Sequence, residues 1–215
     1  MDTPQQRESR VMATVALVAV GVLYAFLPDE LQVGPSSDWL PLAIITVLSV
    51  SMWTCHLRGL EVWNQRLGYA SLVVLAGFLT ASLLTILFNL EGSNKGYNLL
   101  KAGVMLWVSN ILLFASVYWR LDAGGPNLRR KRKQHFEGAA FLFPQMTMPG
   151  GQGSWQPHFI DYLFLAFNTS TAFSPTDTPT LTPWAKVAMM VQSLISLGTV
   201  ALVVARAVNV IPTGS

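Results

Sequence analysis

The 215-residue chain has one cysteine, Cys55, which excludes an internal disulfide, and its three histidines (His56, His135 and His158) show no metal-ligand spacing. Neither redox nor zinc chemistry is expected, and no cofactor is called for. Charge is equally scarce: Asp, Glu, Lys and Arg make up 12% of residues, against roughly 25% in an ordinary soluble domain. With 52% hydrophobic residues and a mean hydropathy of +0.43, this scarcity excludes a separate soluble domain. The chain has no fixed-period repeat and no low-complexity tract, so it reads as a single compact membrane domain. It also has no His-Glu-x-x-His pattern and no paired intramembrane carboxylates, so an enzyme is not expected. Its basic residues accompany no nucleic-acid-binding motif. The first apolar run follows Arg7 and Arg10, as in a signal peptide, but has no small-x-small cleavage site and reads as a retained helix.

What the chain does have is long apolar runs. A helix needs about 18 to 25 apolar residues to cross a hydrocarbon core of about 30 Å with its backbone polar groups paired internally. Runs at 11–27, 39–55, 67–90 and 99–119 predict four spans, and a run at 184–211 predicts a fifth. The expected fold class is an all-α membrane protein with five transmembrane helices and a short re-entrant, pore-like helix between the fourth and fifth. Three regions follow: a four-helix membrane region at 1–120, a basic and Gly/Pro-rich connecting loop at 121–157, and a pore-loop-like module with an inner helix at 158–215.

The short helix is predicted from "HFIDYLFLAF", residues 158–167, which is apolar but too short to cross, and from "FNTSTAFSPTD", residues 167–177, which follows it. Irregular polar backbone is tolerated at membrane depth where protein surrounds it or it lines water. The second segment therefore reads as the turn-back of a re-entrant loop, the alternative being an interfacial helix lying flat with an ordinary polar loop after it.

With five spans, Arg7, Arg10, Arg58, Arg66, Arg120, Arg129, Arg130, Lys131, Arg132, Lys133 and Lys186 fall on one side of the membrane, and Lys95, Lys101 and Arg206 on the other. The positive-inside rule places the first side, with the amino terminus and the re-entrant loop, in the cytoplasm. The run Arg129, Arg130, Lys131, Arg132 and Lys133 has two readings. It either meets anionic lipid headgroups, at about 1 kcal/mol per basic residue, or serves only as a topology determinant.

"DYLFLAFNTSTAFSPTDTPTLTPWAK" followed by "VAMMVQSLISLGTVALVVARAVNVI" resembles the pore module of the potassium-channel superfamily, with its pore helix, Thr-x-Thr start, Asp a few residues on and long inner helix. The five-span layout, including "VYWRLDAGGP" after the fourth span, is similar to that of bacterial inner-membrane proteins that end in an ion-channel-like segment. The resemblance implies a homo-oligomer, a tetramer by analogy, in a bacterial inner membrane. It also implies a filter-like stretch of Thr169, Ser170, Thr171, Ala172, Phe173, Ser174, Pro175, Thr176 and Asp177. Thr169, Thr171 and Asp177 match the family's filter, but Ser174 and Thr176 stand where it has glycines, with Pro175 between them. Those glycines permit left-handed backbone, which costs a residue with a Cβ roughly 1 to 2 kcal/mol, and proline holds φ near −65°. A potassium-selective carbonyl cage is therefore not expected.

The hydroxyls of Thr169, Ser170, Thr171, Ser174 and Thr176 would either replace part of an ion's water shell or satisfy nearby backbone. Phe173 reads as a hydrophobic plug or as core packing. Asp161, in the short helix's first turn, reads as a cap or as an ion contact. In an oligomer Asp177 would repeat as a charged ring attractive to cations. Gln192, Ser196 and Thr199 share one face of the fifth helix and would line a cavity or bond between helices. Asn110 in the fourth span reads as an interhelical contact, and Arg206 as snorkelling to the interface. The function expected is an ion-channel-like membrane protein, a cation-leaning pore with a degenerate filter that passes monovalent ions and contacts membrane lipid. The alternative is a non-conducting scaffold or accessory protein that retains the pore-like fold.

Overall fold

The computed structural model describes residues 4–28, 32, 39–88, 96–131, 138–148, 155–171 and 177–210. The elements are helical: α1 (Pro4–Ala25), α2 (Leu40–Leu57), α3 (Glu61–Phe88), α4 (Gly96–Leu121), α5 (Pro126–Lys131), α6 (Phe159–Thr171) and α7 (Pro183–Val210), with short 3-10 turns at Asp122–Gly124 and Pro144–Met146. Four stretches, Leu40–Leu57, Glu61–Thr85, Asn98–Gly124 and Pro183–Ala205, are long and apolar enough to cross a membrane. The fifth expected span, the first in the chain, has a shorter apolar stretch, Ser9–Ala25, because the opening turns of α1 carry Gln5, Gln6, Arg7 and Glu8. Helix α3 begins at Glu61, six residues ahead of the apolar run, because the α2–α3 turn is tight. Gly59 closes α2 with a φ of +70°, which glycine adopts without a Cβ penalty, and Asn64 Nδ2 donates to the Met52 carbonyl at 2.7 Å across the hairpin.

Helix α4 is the centre of the bundle, with 56% of its apolar window buried against 17% to 33% for the other three. It packs on α1, α3, α6 and α7. Lipid tails are as apolar as leucine, so helices in a membrane associate through close packing and polar contacts, and small residues favour both. On α4 those are Ala102, Gly103, Ser109, Asn110, Ala115 and Ser116, all buried. A Cβ at Gly103 would overlap Val203 Cγ2 of α7, so a glycine is what lets these two helices approach this closely.

One end of the bundle gathers most of the basic residues. Ser9 near the start of α1 meets Trp119 at the end of α4 and Phe159 at the start of α6. Met52 near the end of α2 meets Arg120, and Trp184 at the start of α7 packs on Phe141, which packs on Tyr118 and Tyr162. Consecutive helices α6 and α7 therefore start at the same end and run parallel. The chain between them is described from Asp177 onward. By Thr180 it is back beside Phe141, where Leu142 N–H donates to the Pro179 carbonyl at 2.9 Å and Leu181 N–H to the Ala140 carbonyl at 2.8 Å. With 13 residues, α6 is about 20 Å long, too short for a core of about 30 Å. It ends partway along α4, where Phe167 meets Trp107 edge-on at 6.1 Å.

The segment expected as a basic and Gly/Pro-rich connecting loop at 121–157 contains α5, and its Ala140, Phe141, Phe143 and Met146 are buried in the core shared by α4 and α6. The cause is the turn after α4: Ala123, Gly124 and Gly125 all have positive φ, and a Cβ at Gly125 would stand 2.7 Å from the Arg120 carbonyl. Pro126, with no N–H to lose, starts α5. The reversal turns the Asp122 carboxylate inward and brings Arg129 back beneath the end of α4.

Candidate functional site

The site is α6 together with the side chains that hold its two ends. A helix leaves its first N–H and last C=O groups without intrahelical partners, so a short one buried in a bundle needs outside partners. At the amino end, Ser9 Oγ accepts the Phe159 N–H at 2.9 Å and the Trp119 indole N–H at 3.0 Å. Asp161 Oδ2 accepts the His158 N–H at 2.6 Å, the return arm of a capping box. Asp161 thus makes the capping contact its position suggests.

Below this cap lies a buried ionic cluster. Asp122 is fully buried and Arg129 is 5% exposed. Asp122 Oδ1 accepts the Ala140 N–H at 2.6 Å, and Oδ2 accepts the Tyr162 hydroxyl at 2.6 Å. Arg129 Nη1 lies 3.7 Å from that same Oδ2, donates to the Tyr162 hydroxyl at 2.9 Å, and reaches the Trp119 and Asp122 carbonyls at 3.2 Å. A cation over the last carbonyls of α4 also complements the helix dipole. Burial, with the Asp122 charge adding to it and Arg129 opposing, holds the Tyr162 hydroxyl well above its ordinary pKa. It therefore remains a donor. The cluster clamps α4, α5, the 138–148 segment and α6 together.

At the carboxyl end the hub is Gln192 of α7, which is fully buried. Its Nε2 donates to the Ala166 carbonyl and to Ser170 Oγ, both at 2.7 Å, and its Oε1 accepts the Tyr118 hydroxyl at 2.6 Å. Asn110 Nδ2 donates to the Gln192 carbonyl at 3.2 Å. Ser196 Oγ donates to the Ser170 carbonyl at 2.7 Å and Ser193 Oγ to the Thr169 carbonyl at 3.2 Å. The final turn of α6 is thus supplied with donors from α7.

These contacts place the residues singled out in the sequence. Thr169, Ser170 and Thr171, expected to open the filter-like loop, instead form the last turn of α6. Donors from α7 meet the carbonyls of this turn, and its threonine hydroxyls satisfy backbone one turn back: Thr169 Oγ1 donates to the Leu165 carbonyl at 2.8 Å and Thr171 Oγ1 to the Phe167 carbonyl at 3.2 Å. Ala172, Phe173, Ser174, Pro175 and Thr176 lie outside the described residues. Asp177 is exposed on the returning segment. Gln192, Ser196 and Thr199 are all buried on one face of α7; the first two bond to α6, and Thr199 Oγ1 donates to the Ile195 carbonyl at 2.8 Å. Asn110 makes the interhelical contact expected of it.

Of the basic run, Arg129 is corrected: its guanidinium is committed to Asp122 and Tyr162 and is buried, so it does not face headgroups. Arg130 and Lys131 belong to α5, but their side chains, like Arg132 and Lys133, lie outside what is described, as does the Arg206 side chain. Sequence reasoning missed Ser9, Asp122 and Tyr162. The available signal was Asp122 itself, an acid beside a reversal rich in glycine and immediately ahead of a basic run. No protein-family model, curated protein or solved structure matches the chain.

Proposed function

We propose that the chain is an ion-channel-like membrane protein in which several copies bring the 172–177 segment around a common axis to form a cation-leaning, non-potassium-selective pore. The observation that supports this reading is the half-length helix α6, parallel to α7 and held at both ends, with the chain back beside Phe141 by Thr180. Its carboxyl end carries a partial negative charge that favours cations, and Asp177 on the return adds a full one. A single such loop cannot enclose a pore, so oligomerisation is part of the proposal, with four copies taken from the resemblance. Monovalent ions are the cargo.

The test is flux through purified protein in liposomes under potassium, sodium and chloride gradients. Cation flux that Asp177→Asn reduces severalfold is the expected result; no flux under voltage or pH steps would eliminate the pore. A second reading, a non-conducting scaffold in an inner membrane, has its own support: the hydroxyls of Thr169, Ser170 and Thr171 are occupied within the chain. Intact assembly without flux is its signature.

The orientation proposed puts the basic end in the cytoplasm. The start of α1, the α2–α3 turn, α5 and the start of α7 carry Arg7, Arg10, Arg58, Arg66, Arg129, Arg130, Lys131 and Lys186 at that end, while Lys101 and Arg206 lie toward the other. On a Cys55→Ser background, Lys131→Cys is expected to react with an impermeant thiol reagent only from the cytoplasmic side. Ser93→Cys, between α3 and α4, is expected to react only from outside, and reversed labelling would invert the assignment.

A further inference from the structure

Arg120, in the last turn of α4, is 7% exposed. Its guanidinium lies over the Trp119 ring at 5.7 Å and against the backbone of α3, where a Cβ at Gly68 would overlap Nη1. A guanidinium has five N–H donors, but the hydrogen-bond partner Arg120 meets is the Met52 sulfur, at 3.4 Å, which is a weak acceptor. The ionisable groups that face it are the Tyr69 phenol from α3 and the Arg10 guanidinium from α1. Among the described residues no carboxylate pairs with it. A buried charge without a counter-charge is costly, and a second cation beside it increases that cost unless an anion joins them.

The space between the two arginines is a cleft open at the basic end of the bundle. Arg10, Thr14, Trp53, His56, Asn64 and Arg120 line it, and among the described residues no acidic one does. Arg10 also donates to Asn127 Oδ1, which anchors that side of the cleft to α5. Arginine forks match phosphate oxygens bidentately. Trp53, Trp119 and, across the same end, Trp63 and Trp184 mark the level at which membrane tryptophans meet headgroups.

We propose that this cleft is a phosphate-binding site, in which one phosphate group, from an anionic lipid headgroup or a free phosphate, bridges Arg10 and Arg120. The site is separate from α6 and stands whether or not the chain conducts.

The full chain is reconstituted in phosphatidylcholine nanodiscs, with or without phosphatidylglycerol, and inorganic phosphate is titrated into the first set. Binding is followed by the fluorescence of Trp53 and Trp119 and by the unfolding midpoint. Arg10→Gln and Arg120→Met are expected to weaken binding about tenfold or more, as loss of a charge-assisted hydrogen bond does, while Arg58→Gln, exposed at the same end, leaves it unchanged. Arg120→Met should not lower stability when no anion is present, because it removes an unpaired buried charge. A variant-sensitive response to inorganic phosphate identifies the soluble source; one confined to phosphatidylglycerol discs identifies the headgroup. The proposal is overturned if neither probe gives a response, or if wild type and both arginine variants respond alike. It is also overturned if Arg120→Met fails to fold while Arg10→Gln binds as wild type does.

Discussion

Replacing Asp122 with alanine is expected to destabilise the protein by about 3 to 5 kcal/mol, the usual cost of removing one partner from a buried ion pair. The loss exceeds that of one contact because two donors, the Ala140 N–H and the Tyr162 hydroxyl, lose their acceptor while the Arg129 guanidinium loses its counter-charge. None of them can turn to water, since Asp122, Ala140 and Tyr162 are buried to within about 1% and Arg129 to 5%. Chemical unfolding in detergent micelles measures the loss. The double variant Asp122→Leu/Arg129→Met is expected to recover much of it, because an apolar pair of similar volume avoids desolvating two charges. A single variant as stable as wild type, or a double variant worse than the single, would mean that the cluster is solvated and does not clamp α6.

The second large effect is expected at Gln192. Gln192→Leu keeps the approximate volume but removes three hydrogen bonds, to Ala166, Ser170 and Tyr118. At the membrane-protein average of about 0.6 kcal/mol for such a bond, the total is about 2 kcal/mol. Leaving the Tyr118 hydroxyl without its acceptor in a dry interior raises the expected loss toward 3 kcal/mol. The same variant separates local from global consequences. Hydrogen exchange should increase in the last turn of α6, residues 167–171, and leave the α2–α3 hairpin unchanged, because that hairpin shares no contact with Gln192. Uniform exchange across both regions would refute the assignment of Gln192 as the anchor of the α6 carboxyl end.

The sequence was legible where apolar run and helix coincide. The predicted spans at 99–119 and 184–211 differ from α4 and α7 by one to three residues at each end. It was less legible at α1 and α3, whose first turns are polar yet helical, since helix formation there follows from turn geometry and neighbouring helices rather than from hydropathy. The shared face of Gln192, Ser196 and Thr199 could be read from their spacing, but not the partner that the first two bond. That partner, α6, lies alongside because the two helices start at the same end and run parallel, an arrangement no local pattern encodes. The hydroxyls of Thr169 to Thr171 allowed two readings, ion contact or backbone satisfaction, and Thr169 and Thr171 take the second; residue type alone does not say which, because the choice depends on whether Oγ finds a carbonyl one turn back. The Asp122, Arg129 and Tyr162 cluster joins residues seven and forty positions apart, a proximity that no local pattern encodes.

The contact between Ser9 and the start of α6 spans 150 positions, and it bears on how the chain is made. The side chains that hold the amino-terminal half of α6, namely Ser9, Asp122 and Arg129, come from earlier in the chain. A nascent chain emerging amino end first therefore has the seat for the amino end of α6 available before α6 is synthesised, whereas the donors that hold its carboxyl end, Gln192, Ser193 and Ser196, follow it. The last quarter of the chain is then not a transplantable cassette. Residues 158–215 expressed alone would retain Gln192, Ser193 and Ser196 but lose the cap, the ionic clamp and the α4 contacts, so the feature that most resembles a self-contained pore unit depends for its shape on the helices ahead of it.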